Sequence, residues 1–162
     1  MEYRTSYPSP LGLLTLASDG KHLTGLWMEG QKGFGGSAAQ WIEQEELAVF
    51  AAAKAWLEAY FSGAVPLPPV PSLSLEGTVF QRRVWQQLSA IPYGETVTYG
   101  QLAAMMGCAS ARAAGAAVGS NPILLMIPCH RVVGVNGNLT GYAGGLARKR
   151  WLLAHEESNR TK

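Results

Sequence analysis

Cysteine is scarce in this chain of 162 residues: Cys108 and Cys129 are the only two. That is too few for a disulfide framework and suits a reducing compartment. Paired-cysteine spacing is missing and the three histidines, His22, His130 and His155, are scattered, so no metal site is expected. No apolar run approaches the roughly 18 residues a membrane span needs. Met1-Glu2-Tyr3-Arg4 leads into polar sequence, without the apolar core of a secretion signal. The expectation is a protein that stays inside the cell, in the cytoplasm, and touches no membrane. Charge is sparse too, at 15% of residues. The 48% hydrophobic content excludes a disordered chain and suffices for one domain or two small ones.

The net charge of +2 conceals an asymmetry. Residues 1–77 hold four Lys or Arg against eight Asp or Glu, and residues 78–162 hold nine against three. A basic second half points to a polyanionic partner, although basic groups also simply solvate helices. Residues 3–28 read as a small antiparallel sheet. Leu11, Leu13 and Leu14-Thr15-Leu16 form one run, Asp19-Gly20 marks the turn, and His22–Met28 returns with Leu23 and Leu26 inward. Gly30–Ser37 has four glycines but lacks the spacing of a phosphate loop. Glu43–Phe61 reads as a helix with an apolar stripe and glutamates at its N-terminal end. This half reads as scaffold. Ser62–Pro71 holds four prolines, which neither helix nor central strand accommodates. It divides an α/β scaffold domain, 1–75, from a second domain, 76–157, with 158–162 as a tail.

The second domain opens with a capping box, Thr78 and Gln81, ahead of a helix carrying Phe80, Val84 and Leu88. A second box, Thr98 and Gln101, starts a helix over Tyr99–Met106. Gly107 suits the left-handed residue just beyond it, and Ser110 caps a helix over Ala111–Val118 that Gly119 ends. Two short helices joined by a tight turn make a helix-turn-helix. The fold class is therefore α+β: a small N-terminal antiparallel sheet with a packed helix, then a mostly helical, winged-helix-like helix-turn-helix domain. The second of these helices has one charge, Arg112, among alanines and glycine. A reader of base edges in the major groove needs several long polar side chains. Small residues instead permit the close backbone approach of a shallow minor-groove contact, and they equally suit tight packing in a core.

The densest chemistry lies at Ile127-Pro128-Cys129-His130-Arg131-Val132-Val133, between the apolar run 123–127 and Val132-Val133. A thiol with a pKa of about 8.5 is only slightly ionised at neutral pH, so a nearby base is needed. His130 is the candidate, yet neighbours in an extended chain face opposite ways, and contact requires a relay through water or a fold after Pro128. An isolated Cys-His pair is more often a small buried hydrophobe beside a satisfied polar neighbour.

The string IPCHRVV, with Gly141-Tyr142-Ala143-Gly144-Gly145-Leu146 and Trp151-Leu152-Leu153-Ala154-His155-Glu156, resembles the active-site region of the O6-alkylguanine-DNA alkyltransferases. The resemblance extends through Asn121-Pro122, Arg112 and Tyr99 back to Phe80. It implies a repair protein, needing no cofactor, that flips O6-alkylguanine, and also O4-alkylthymine, from duplex DNA. The alkyl group passes irreversibly to Cys129 in a single turnover. By resemblance, His130 accepts the thiol proton through a water, Glu156 orients the imidazole, Asn121 lies near the sulfur, and Tyr99 hydrogen-bonds the purine. Arg112 fills the space of the extruded base. Ser110, Ala113, Ala114, Gly115 and Tyr99 belong to the DNA contact, while Val132, Tyr142, Ala143 and Gly144 wall the base pocket. Arg131 is assigned a structural or phosphate contact. The implied partner is double-stranded DNA bearing alkylated guanine, contacted by a monomer through the minor groove. Ala143 and Leu124 stand where some relatives have serine and proline, which bears on the alkyl-size preference. Two other readings remain: a lesion-recognition module without transfer, although relatives of that kind lack the cysteine, and a helix-turn-helix regulator with a redox cysteine. A cysteine hydrolase lacks any recognisable oxyanion-hole signature.

Overall fold

The computed structural model describes residues 2–31, 41–107 and 110–160. Residues 32–37 of the glycine-rich loop, and Cys108, fall outside them. Three strands, β1 (Tyr3–Ser9), β2 (Gly12–Ser18) and β3 (Leu23–Met28), pair antiparallel. The turn into β3 forms at Asp19-Gly20 as expected, with Asp19 Oδ1 accepting from the backbone N–H of Lys21 and His22. Leu14 and Leu16 of β2 and Leu23, Leu26 and Met28 of β3 are all buried. Leu23 and Leu26 are an odd number of residues apart and would normally face opposite sides. A bulge resolves this, since Ala17 pairs with Gly25 and Ser18 with Leu23, leaving Thr24 as the extra residue.

A fourth strand, β4 (Ile42–Glu43), adds parallel to the outer edge of β1, giving the order β3-β2-β1-β4. The helix expected from Glu43 accordingly begins later, as α1 (Ala48–Phe61), with no acidic residue in its first turn. Pairing of Ile42-Glu43 with Tyr3-Arg4 keeps that backbone extended. The Glu43 carboxylate accepts from Arg4 Nε at 2.7 Å rather than facing a helix N-terminus. Burial of Phe50, Ala53, Leu57 and Tyr60 packs α1 on the sheet.

Both capping boxes form with the expected reciprocal bonds. Thr78 opens α2 (Val79–Leu88) and Thr98 opens α3 (Tyr99–Met105). Met106 caps α3 and Gly107 follows it with φ +68°. Ser110 Oγ accepts from Ala113 N–H at the start of α4 (Ala111–Gly119). Trp85 of α2 donates its indole N–H to Ala117 O at 2.9 Å, pinning the end of α4. A small parallel pair, β5 (Val97–Thr98) and β6 (Val132–Val133), flanks these helices, and α5 (Leu146–Asn159) closes the chain.

The free edge of β3 anchors the second half of the chain. The proline-rich connection runs beside it, with Leu23 N–H donating to Ser72 O and Ser74 N–H to Leu23 O. Further along the same edge, Leu26 bonds to Pro122 and Leu124. The first half thus holds the segment that leads into Cys129, and one continuous apolar core joins the sheet and α1 to α2, α3 and α4. No helix among the described residues is long and apolar enough to cross a membrane. Those residues hold no cluster of three or more His, Cys, Asp or Glu able to bind a metal.

Candidate active site

The chain reaches the thiol through a tight path. Leu125, buried and without a branch at Cβ, sits at φ +71°, a left-handed conformation that costs a non-glycine residue on the order of 1 kcal/mol or more. Short bonds from Met126 N–H to Leu124 O and from Cys129 N–H to Ile127 O, both 2.8 Å, fold the backbone on either side. Asn121 holds this bend from within: its Nδ2 donates to Ile127 O at 2.8 Å and its Oδ1 accepts from Ile123 N–H at 2.9 Å. Pro128 then leads into one 3-10 turn, Cys129–Arg131. The backbone therefore folds after Pro128 instead of running on as an extended strand.

Cys129 is only 3% exposed. Burial pushes its thiol up to about 11, against the opposing pull of a hydrogen bond from Asn121 and the positive charge of Lys149. At neutral pH the resting sulfur is protonated, and its activation requires a proton acceptor. His130 is fully buried beside Glu156, with Nε2 at 2.5 Å from Oε2. Burial pulls the imidazole below its usual value despite the carboxylate, and Arg131 and Lys149 add to the shift. Burial alone would raise Glu156, but hydrogen bonds and charge from His130 and Arg131 outweigh it and hold the carboxyl well below the usual range. An ionised carboxylate can only accept, so Nε2 of the neutral imidazole carries the hydrogen. Nδ1 is then a bare lone pair, and among the described residues no protein group meets it.

Glu156 is crowded with donors. Arg131 Nε reaches Oε1 at 2.7 Å and its Nη2 reaches Oε2 at 3.2 Å, while Nη1 donates to Ile91 O at 2.8 Å. Gly94 N–H donates to Oε1 at 3.3 Å. From α1, Tyr60 donates its hydroxyl to Oε2 at 2.7 Å. The first half therefore does supply a chemical group, contrary to the expectation of a pure scaffold. Glu157, which spacing alone does not separate from Glu156, faces outward and pairs with Arg160.

Over the sulfur lies a cavity of about 130 Å³ lined by Tyr99, Gly115, Val118, Gly119, Cys129, Gly141, Tyr142 and Ala143. Tyr99, Tyr142 and Ala143 are among its walls. Tyr99 donates to Thr140 O at 3.2 Å, and burial raises its phenol so that it stays protonated. Gly115 contributes closeness, since a Cβ there would lie 3.5 Å from the Tyr99 ring. Two pocket expectations are corrected. Val132 is fully buried and paired with Val97, and Gly144 lies behind the wall, packed against Met28 and Tyr142; neither lines the cavity.

On α4, Arg112 and Ala113 are exposed, as is Ser110 at its cap. Ala114 is not available to a partner, because it turns its methyl group fully into the core. Arg131 takes the structural role of the two assigned to it. Lys149 is a further member of the site: it is fully buried in α5, its Nζ donates to Thr140 O and Gly141 O at 3.1 and 3.2 Å, and it lies over the Tyr99 ring. A lysine in a basic helical run carries no sequence signal of such a place. Tyr60 and Arg131 are similarly hidden in the sequence, since their partner lies 96 and 25 residues away.

A helix-turn-helix whose second helix borders a cavity lined by a buried thiol defines a class of nucleic-acid-facing proteins with a cysteine in the pocket. Residues 79–158 match the model of the 6-O-methylguanine DNA methyltransferase DNA binding domain, and residues 2–67 match that of its ribonuclease-like domain. The chain belongs to the 6-O-methylguanine DNA methyltransferase family. The methylated-DNA–protein-cysteine methyltransferase of Mycolicibacterium paratuberculosis is 49% identical over 157 residues, covering 96% of this chain and 92% of the relative. That of Haemophilus influenzae is 45% identical over 156 residues, covering 96% and 86%. The crystal structure of Mycobacterium tuberculosis OGT in complex with DNA superposes with a TM-score of 0.89 at 45% identity, over 97% of this chain and 94% of that one.

Proposed function

We propose that this protein repairs duplex DNA by moving an alkyl group from O6 of guanine, and from O4 of thymine, to its own Cys129. The observation that carries the reading is the cavity bordered by α4 with the buried thiol of Cys129 in its lining, in a chain whose next residue, His130, keeps Nδ1 free of any partner among the described residues. The damaged base is turned out of the stack into this cavity, a cost of a few kcal/mol that is smallest for a badly paired base. Arg112, exposed on the first turn of α4, fills the space left in the duplex. Ser110, Ala113 and the helix N-terminus meet the backbone in the minor groove.

The thiol gives its proton to His130 Nδ1 through a water, and the Glu156 carboxylate stabilises the resulting imidazolium against the opposing charge of Arg131. The sulfur pair forms the S–C bond, the C–O6 bond breaks with its electrons passing to the purine, and the leaving base takes up a proton. The Tyr99 phenol serves that end by hydrogen-bonding the purine. Asn121 and Lys149 stabilise the thiolate before attack. The thioether has no leaving path, so each molecule acts once, as a monomer and without a cofactor. A reducing interior, the cytoplasm, is the setting that preserves the free thiol.

The test is mass spectrometry after exposure to duplex DNA containing O6-methylguanine. The native chain gains one methyl group on the peptide bearing Cys129, and Cys129→Ser gains none while still binding the duplex. Intact, reduced protein with no mass gain overturns the proposal.

A further inference from the structure

Glu156 Oε2 accepts two short hydrogen bonds, one from His130 Nε2 at 2.5 Å and one from Tyr60 Oη at 2.7 Å. They come from different halves of the chain. The Tyr60 side chain is fully buried, stacked on Trp56 at 5.3 Å between ring centroids, and edge-on to Phe61 and Tyr93. Its backbone oxygen is held as well, since His155 Nε2 reaches it at 2.7 Å. Helix α1 is thus tied to α5 at both His155 and Glu156. Such a fixed donor is more than a polar group finding a partner, because it shares the oxygen that polarises the imidazole.

We propose that Tyr60 is a positioning residue for alkyl transfer: its hydroxyl shares Glu156 Oε2 with His130 and thereby sets how strongly the carboxylate draws on the imidazole. This rests on the assignment of His130 as proton acceptor. A donor to a carboxylate stabilises its ionised form and lowers its power to hold a second proton. With the phenol present, the imidazole at His130 is drawn on less and stays neutral to lower pH. Burial holds the Tyr60 phenol far above its usual value, with Glu156 adding to the shift, so it donates at every working pH. The other groups bearing on this pair are Arg131 and Tyr93 beside Glu156, Lys149 acting on His130, and Tyr142. Only Tyr60 among them is carried by the first half of the chain.

The experiment compares three full-length proteins with the native one: Tyr60→Phe, 3-fluorotyrosine placed at position 60, and the packing control Trp56→Phe. Two readouts are taken, the acid limb of the rate of methyl transfer and the midpoint of the His130 ring resonances in the free protein by NMR. Removing the hydroxyl moves both midpoints to higher pH. Fluorination makes the phenol a stronger donor without altering the packing, and moves both to lower pH. Trp56→Phe lowers thermal stability and moves neither. Midpoints unchanged in the fluorotyrosine protein, or moved in the same direction by Tyr60→Phe and fluorotyrosine, overturn the proposal; the fluorinated protein decides it if Tyr60→Phe does not fold. A His130 midpoint that responds as described while native protein transfers no methyl group would overturn the repair reading alone.

Discussion

Asn121 shows how much can rest on one amide. It satisfies the N–H of Ile123 and the carbonyl of Ile127, and it faces the sulfur that these residues deliver. Asn121→Ala would strand two buried backbone groups, each costing about 1–3 kcal/mol. Urea unfolding should show a loss of about 2 kcal/mol or more, and methyl transfer should slow because the thiol loses a group that favours its ionised form. That Asn121 lies near the sulfur was implied by the family resemblance. Its dual hydrogen bond was not, because nothing in a sequence reveals that the backbone will bend at Leu125. The same holds for Arg131, whose place beside Cys129-His130 left a phosphate contact open until the fold brought α5 across it.

At the level of elements, the local signals were the dependable ones. Thr78 with Gln81 and Thr98 with Gln101 fixed two helix starts, because a capping box is closed by residues three apart and needs no help from the rest of the chain. The glutamates at 43, 45 and 46 misled for the opposite reason. They look like the acidic first turn of α1, but a long-range pairing with β1 claims Ile42-Glu43 first. A contrast between the two caps separates stability from function. Thr78→Ala and Thr98→Ala should each cost about 1 kcal/mol in chemical denaturation. Only Thr98→Ala should also reduce the rate of transfer, because Tyr99 is the first residue of the helix that Thr98 begins and its phenol lines the cavity.

For the whole molecule, the shared core means that the buried ionic cluster and the global fold stand or fall together. His130 is held below its usual 6.5 and Glu156 below its usual 4.5. As pH falls, the unfolded chain takes up protons at both sites before the folded one does, so acid favours unfolding. Thermal melting should show stability declining below about pH 6.5 and more steeply below 4.5. At the alkaline end Cys129, Tyr60 and Tyr142 are held protonated in the fold, and stability should fall again as the unfolded thiol and phenols ionise. A melting temperature flat from pH 4 to 7 would contradict this assignment of charges.

The chamber above the sulfur has one last implication. Its walls include Tyr142, Ala143 and the glycines at 115, 119 and 141, so each carbon that a lesion carries beyond the first has to be accommodated against these residues. The walls therefore act as a gauge, and the breadth of damage this molecule can mend is written in how readily a few small residues step aside.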